Sequence, residues 1–353
     1  YGAEASDSFR VVWNNNINKR WSHQLYVLDN HYKTKYDGYL TDIKTRAFGD
    51  QVTYKAKDHT VVGGIDWRQD KVLNMGGVKL TNTSYFVQDE WKVAPKWTVI
   101  PGVRVDHHSA FGTHTSPSIS VGYDVNAKTN VYAAYKEYFL APTPYQLFDG
   151  TYGNRNLKPE TGHEWSVGVH HKFGKTWNSN LSFFSRSTKD KIGWATNPAT
   201  GTVQYQNFDT EKAYGINADV RKQLTKHLSA RLGYTYTHID ATPTRKANRD
   251  GYVPKHAVNA GLDYNDAKWD AHLDIRGVID RPGPAANIFP RTTYWITDIS
   301  ANYRVRENVT VFGRVNNLFD TYYAEQSNVR WGNAGDWWPG QGRNFRLGVE
   351  VTI

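Results

Sequence analysis

The chain has no cysteine, a single methionine and no long uninterrupted apolar run. Lack of cysteine excludes a disulfide framework and thiolate metal sites. No segment approaches the roughly 18 consecutive apolar residues of a membrane-spanning helix, so a helical membrane protein is excluded. Only 39% of the 353 residues are hydrophobic, and the share of Leu, Ile and Met is smaller than a soluble core with this many aromatics would carry. HExxH, P-loop and GxSxG patterns are also missing, so no enzyme is indicated. No self-similar period of about 20–50 residues occurs, which counts against a propeller or solenoid. Neither an initiator Met nor a secretory signal precedes Tyr1, which reads as a processed or partial product.

What is abundant is Trp and Tyr, 13 and 23 residues, set among Asn, Asp, Thr, Gly and Lys. That mixture suits a membrane barrel, whose outer band is apolar with aromatic girdles and whose interior is polar. The formal net charge of +9 comes from Lys and Arg spread along the chain rather than gathered in a patch, so nucleic acid is not an expected partner.

Strict alternation of apolar and polar residues is the dominant pattern. In the last segment Phe345, Leu347, Val349, Val351 and Ile353 face away from Arg346, Gly348, Glu350 and Thr352. Trp97, Val99, Pro101, Val103 and Val105 oppose Thr98, Gly102, Arg104 and Asp106. Ile119, Val121, Tyr123 and Val125 oppose Ser118, Ser120, Gly122 and Asp124, and Leu228, Leu232, Tyr234 and Tyr236 oppose Ser229, Arg231, Gly233 and Thr235. A half-buried sheet in a soluble sandwich shows the same period. The recurrence of Arg, Asp, Glu and Gly on the second face favours a wet or plugged lumen.

Connections alternate in length. Short ones are expected near 16–19, 57–59, 94–96, 126–129, 174–176, 225–227, 265–268 and 306–308, and longer Gly-, Pro- and Asn-rich ones near 34–40, 69–80, 107–116, 139–160, 188–203, 240–254, 280–292 and 319–342. Short turns on one side and long loops on the other is the bacterial barrel pattern, with the long loops extracellular. The breaks predict about 17 strands, an odd number where closed single-chain bacterial barrels have even ones.

Several local sequences resemble the TonB-dependent outer-membrane receptors. Tyr85-Phe86-Val87-Gln88-Asp89-Glu90-Trp91 is similar to that family's "FxQDEW" strand. Arg104-Val105-Asp106-His107-His108, with Phe111-Gly112 and Ser116-Pro117, resembles the next strand and loop. Phe139-Leu140-Ala141-Pro142 and the run from Asn154 through Leu157-Lys158-Pro159-Glu160 to Thr161 resemble its "FRAP" and "NPNLKPET" boxes, departing at Leu140 and Arg155. Val315-Asn316-Asn317-Leu318-Phe319-Asp320 followed by Tyr322-Tyr323 matches its "VNNLFDxxY" box. The chain departs again in ending on Ile353 rather than Phe or Trp.

The resemblance implies an all-β fold, a transmembrane antiparallel β-barrel of about 22 strands plugged by an N-terminal domain. Residues 1–353 would then supply about strands 6 to 22. The plug and about five strands would sit on a second polypeptide through which TonB acts. It also implies residence in the bacterial outer membrane, contact with its lipid, and active import of a scarce metal chelate. Cobalamin, ferric siderophore and haem are the open choices. The chelate is cargo, and no covalent cofactor is expected. The spacing from Ala141-Pro142 through Gln146-Leu147 to Tyr152-Gly153-Asn154 looks most like the cobalamin transporters of the family. A passive porin-like or adhesin barrel without a plug is the alternative.

His107, His108 and His114 invite a metal-ligand reading, but they fall in a box shared by family members whatever they import, so no protein metal site is expected. Lumen-facing Arg104, Asp106, Arg231, Arg314, Arg346 and Glu350 read mainly as ion-pairing groups. The ligand-binding candidates are loop aromatics: Tyr145, Phe148 and Tyr152 in one loop, Phe289 in another, and Trp331, Trp337 and Trp338 in the last. Binding residues concentrate on loops held by a rigid scaffold, and Tyr and Trp give large contact area at low entropy cost.

Overall fold

The computed structural model describes residues 2–36, 39–196, 201–241, 253–281, 292–327 and 337–352. Its described residues form nineteen strands, of which β1 to β16 and β19 make one 17-stranded sheet and β17 and β18 a separate pair. In order these are β1 (Gly2–Asn16), β2 (Trp21–Tyr36), β3 (Tyr39–Lys55), β4 (His59–Val72), β5 (Val78–Ala94), β6 (Trp97–His108), β7 (Gly112–Asn126) and β8 (Thr129–Leu140). Then come β9 (Glu160–Phe173), β10 (Trp177–Thr196), β11 (Val203–Gln223), β12 (Leu228–Ala241), β13 (His256–Asn265), β14 (Trp269–Ile279), β15 (Tyr294–Arg306) and β16 (Val309–Asn316). The last are β17 (Ala324–Ser327), β18 (Trp337–Pro339) and β19 (Asn344–Val351). Among described residues, β1 pairs antiparallel with β2, and β19 with β16.

The chain divides into two compact units: residues 1–124, 132–165 and 186–211 in the first, and 125–131, 166–185 and 212–353 in the second. Each has the expected two-faced sheet. In the first unit the face bearing Val103 and Ile119 is exposed and apolar, while that bearing Arg104 and Ser116 is hydrogen-bonded and polar. In the second, Leu347 is 82% exposed, whereas Arg231 on the other face ion-pairs with Asp263 and Asp274.

Short polar side chains build the tight turns by accepting backbone N–H bonds that the ladder leaves open. Asn18 Oδ1 accepts from Arg20 and Trp21, Asn126 Oδ1 from Lys128, Thr225 Oγ1 from His227 and Leu228, and Asp266 Oδ1 from Lys268 and Trp269. Immediately after tight turns, β2, β6, β10 and β14 each begin with a tryptophan. Trp21 packs on Tyr54, Trp97 on Tyr123 and Trp269 on Tyr303, with ring centroids 4.5, 4.6 and 4.7 Å apart. Amphipathic rings repeated at one strand end mark the level of a membrane–water interface.

The long-connection side departs from expectation. Residues 69–72 and 78–80 were expected in a loop, yet β4 runs to Val72 and β5 starts at Val78, joined by a 3-10 turn at Leu73–Met75 and two glycines at φ 70° and 71°. Likewise β6 and β7 leave only 109–111 between them, and β10 and β11 extend through much of 188–203. These stretches look like loops because they are polar, but cross-strand hydrogen bonding does not require apolar side chains above the apolar band.

Candidate functional site

On the polar face of the first unit, side chains from four strands form two adjoining hydrogen-bonded clusters. Asp70 on β4 accepts from Thr45 Oγ1 on β3 at 2.6 Å and from Arg68 Nε and Nη2 at 2.9 and 3.0 Å. Asp106 on β6, only 7% exposed, accepts from Ser84 Oγ at 2.6 Å and Asn82 Nδ2 at 2.9 Å on β5. Arg104 completes the set, donating to Asp106 and, across β5, to Asp66 on β4. Carboxylates can be buried here because each is multiply hydrogen-bonded by cationic or hydroxyl donors.

This network forms one wall of a cavity of about 670 Å³, a size that suits a compact organic ligand. The opposite lining is Glu137, Tyr138 and the Phe139-Leu140-Ala141-Pro142 run, with Thr143 and Pro144 at the start of the next loop. His108 also lines it, buried, with Nδ1 accepting the Ala110 N–H at 3.2 Å, so the proton of the neutral ring resides on Nε2. His114 stacks on Phe139 at 3.9 Å and bonds the Phe111 carbonyl, and His107 bonds Thr113. Each of the three histidines therefore has its own separate partner. Among the described residues no group of three or more His, Asp or Glu is arranged to hold a metal ion.

The loop after β8 is folded rather than irregular. Thr143 caps a short helix, α1 (Pro144–Phe148), in a reciprocal capping box with Gln146, and Pro144 occupies the first helical turn. Leu147 and Leu157 are buried with Leu80 and Ile192, and Phe111, Phe148 and Tyr205 pack around them. The box around Asn154 fastens this loop to β10 and β11. Asn154 Nδ2 donates to the Tyr205 carbonyl, Asn207 exchanges two bonds with Lys158, and Glu160 accepts from the Ile192 N–H and Lys191 Nζ.

Of the expected ligand residues, Tyr145, Phe148 and Tyr152 are brought together on this loop. Tyr145 meets Tyr205 edge-on at 6.3 Å, Arg155 lies 5.4 Å over Phe148, and the Tyr152 N–H and carbonyl bond Asp149 and Tyr205. They neighbour the cavity without being part of its described lining, which reaches the loop only at Thr143 and Pro144. Phe289 and Trp331 lie outside the described residues, as do the side chains of Trp337 and Trp338, whose backbones pair with Gln326 and Ser327. Arg68, Asp70, Asn82 and Glu137 escaped the sequence reading. Alternation places Arg68, Asp70 and Asn82 on the polar face, whereas Glu137 shares the parity of exposed Tyr135, to which it is bonded, and reaches the cavity only at the strand end.

The model of the family described as TonB dependent receptor-like, beta-barrel, matches residues 1–318. The iron-regulated outer membrane virulence protein of Vibrio cholerae serotype O1 is 28% identical over 317 residues, covering 82% of this chain and 47% of that protein. The vitamin B12 transporter BtuB of the same species is 27% identical, over 75% of this chain and 43% of its own. The ferric enterobactin receptor PirA of Pseudomonas aeruginosa is 25% identical, over 69% and 37%. The chain thus spans about half the length of the curated relatives it matches. Among solved structures, the siderophore receptor PirA from Pseudomonas aeruginosa superposes with a TM-score of 0.75 at 19% identity, covering 99% of this chain and 63% of that one. The ferric enterobactin receptor PfeA gives 0.79 at 17%, over 99% and 62%. These likenesses show the all-β receptor-barrel fold, and the relatives named are receptors and transporters rather than enzymes.

Proposed function

The chain belongs to the TonB-dependent receptor β-barrel family of the bacterial outer membrane, and from that membership we propose that it serves the energy-coupled import of a scarce metal chelate. In this reading the chelate is cobalamin, a ferric siderophore or haem. It is captured on the long-loop side and passed inward when TonB acts on a plug carried by another chain or segment. Tyr145, Phe148, Tyr152, Phe289, Trp331, Trp337 and Trp338 are the proposed loop contacts.

The observation that carries the reading is the cavity beside the α1 loop. Its wall is a pre-formed, hydrogen-bonded polar network, and its other side is the apolar Phe139–Pro142 strand end. A site of mixed polar and apolar lining on a rigid sheet suits recognition of a metal chelate whose surface is itself part polar and part apolar. The test is titration of the complete outer-membrane receptor with cyanocobalamin, a ferric catecholate and haem, paired with uptake in cells with and without a functional TonB. Tight binding of one chelate and TonB-dependent uptake are expected. Failure of all three to bind, together with steady ion conductance in planar bilayers, would instead identify a passive pore.

A further inference from the structure

The cavity beside the α1 loop carries more carboxylate than cation. Its described lining holds two guanidinium groups, Arg68 and Arg104, against three carboxylates, Asp70, Asp106 and Glu137, with no lysine. His108 adds no charge there, because its Nδ1 accepts the Ala110 N–H. Arg68 grips Asp70 through Nε and Nη2, and Arg104 is shared between Asp106 and Asp66, a carboxylate outside the lining. Cations around the α1 loop are engaged as well: Arg155 lies over the Phe148 ring and Lys191 bonds Glu160.

Guanidinium groups whose charge is already matched still donate. Each spends two of its five N–H groups on these carboxylates, and both side chains are more than one-third exposed. Glu137, at the strand end, receives the Tyr135 hydroxyl on Oε1 at 2.9 Å and keeps its other oxygen for a ligand. The wall thus offers N–H donors and carboxylate acceptors side by side, with negative charge in surplus. Carbonyl and amide groups match both kinds of partner. An anion meets the same donors but must shed its water and face Asp70 and Glu137, and like charges brought together across a binding surface turn the wrong ligand away. A ferric triscatecholate is a trianion and haem carries propionates, whereas a ferric trihydroxamate has no net charge and cobalamin is surrounded by carboxamides.

Resting on the chelate-import reading above, we propose that this cavity selects a metal chelate without net negative charge whose surface carries amide or hydroxamate carbonyl groups, and that Asp70 and Glu137 exclude anionic chelates. The spare N–H groups of Arg68 and Arg104 donate to the carbonyl oxygens, the carboxylates accept amide N–H groups, and the Phe139–Pro142 run covers the apolar stretches between them.

The test is calorimetric titration of the complete receptor, extracted from the outer membrane, with a ferric trihydroxamate, cyanocobalamin and a ferric triscatecholate. The trihydroxamate or cyanocobalamin should bind at least about tenfold tighter than the triscatecholate, and which of the two binds identifies the source of the carbonyl groups. The discrimination should shrink as salt is raised from about 0.05 to about 0.5 M, because screening shortens the repulsion. Asp70→Asn combined with Glu137→Gln should lower the ratio at least about fivefold. Should that double variant fail to assemble, Glu137→Gln alone, at an exposed strand end, should move the ratio in the same direction. Equal or tighter binding of the triscatecholate by the wild type would overturn the proposal while leaving chelate import standing, and a ratio indifferent to salt and to the substitutions would overturn it equally. Failure of all three chelates to bind would remove the import reading, and the proposal with it.

Discussion

Arg104 reaches across a whole strand to Asp66: its Nη1 donates to Asp66 Oδ2 at 3.0 Å while the guanidinium passes 5.9 Å from the Phe86 ring on the intervening β5. The same guanidinium bonds both oxygens of Asp106. One side chain therefore ties β4 to β6 along the cavity wall. Both partners of the Arg104–Asp66 pair are about one-third exposed, so water screens it, but Arg104→Met also strips the cation from nearly buried Asp106 and should cost about 2–4 kcal/mol of folding stability. A double-mutant cycle with Asp66→Asn, read from urea midpoints in bilayers, should give a coupling of about 0.5–1 kcal/mol. Strict additivity would show that the pair is geometric only.

The four tryptophans that open β2, β6, β10 and β14 should lie at one depth in the bilayer. Tryptophan-only variants retaining Trp21, Trp97, Trp177 or Trp269 should be quenched to the same degree by a lipid brominated near the headgroup, and weakly by one brominated near the chain terminus. Trp97→Ala, which removes the ring packed on Tyr123, should lose about 0.5–1.5 kcal/mol beyond the area it uncovers. Quenching at four different depths would contradict a shared interface.

Much of this architecture is legible in the amino-acid sequence. The alternation that separates Val103 from Arg104, and the Asn, Thr and Asp at the tight turns, place about 17 strands, and the sheet has 17. The loop bounded by Gly76 and Gly77 was read too long because Gln69, Asp70, Lys71 and Lys79 are polar, and polarity is a proxy for solvent rather than for missing hydrogen bonds. The site was half legible. Arg104 and Asp106 announce themselves as charges on the lumen face of a strand, whereas Asp66 becomes a partner of Arg104 only through a register that spans three strands, and Asp70 a partner of Thr45 only through the pairing of β3 with β4. Thr143 and Gln146 carried a capping-box spacing in plain view, but five helical residues are too few to show a period.

Asn317 is the strained keystone of its box. It is 2% exposed with φ 50°, in the left-handed region. Its Nδ2 donates to the carbonyls of Thr321 and Gln341, its Oδ1 accepts the Thr321 N–H, and its own N–H donates to Asp298. Asn tolerates this conformation better than other non-glycine residues. Asn317→Ala loses three side-chain bonds and keeps the strain, so it should destabilise by about 2–4 kcal/mol. Asn317→Gly relieves the strain alone and should rank between Ala and wild type. Limited proteolysis after β16 reads the order directly.

The β13–β14 turn supplies a pH test. Asp266 is held down to about 2 by the Trp269 N–H, the Tyr264 hydroxyl and the Lys268 N–H. A carboxyl whose folded pKa is depressed contributes stability that is complete above its unfolded value and is lost as pH falls through the folded one. The turn should therefore stay closed from neutral pH down to about 4 and loosen between about 4 and 2. Hydrogen exchange of the Trp269 amide, corrected for the intrinsic rate, should accelerate only in that window. In Asp266→Ala it should be fast throughout, and protection of the wild type unchanged at pH 2 would refute the assignment.

Glu160 decides whether the α1 loop is held by charge or by backbone bonding. The carboxylate is 5% exposed and accepts at 2.9 Å from both the Ile192 N–H and Lys191 Nζ. Lys191 can turn to water if its partner is removed, but the Ile192 N–H sits in a buried strand and cannot. Glu160→Ala should therefore cost about 1–3 kcal/mol through the stranded amide, while Lys191→Met, which leaves that bond intact, should cost under about 1 kcal/mol. Because the same loop carries Tyr145, Phe148 and Tyr152, Glu160→Ala should also weaken chelate capture while leaving the tight turns on the opposite side as protected from exchange as before. Hydrogen exchange over residues 143–159 and 186–196, measured beside binding affinity, separates the two contributions. Equal effects from the two substitutions would mean that the ion pair, not the backbone bond, fastens the loop.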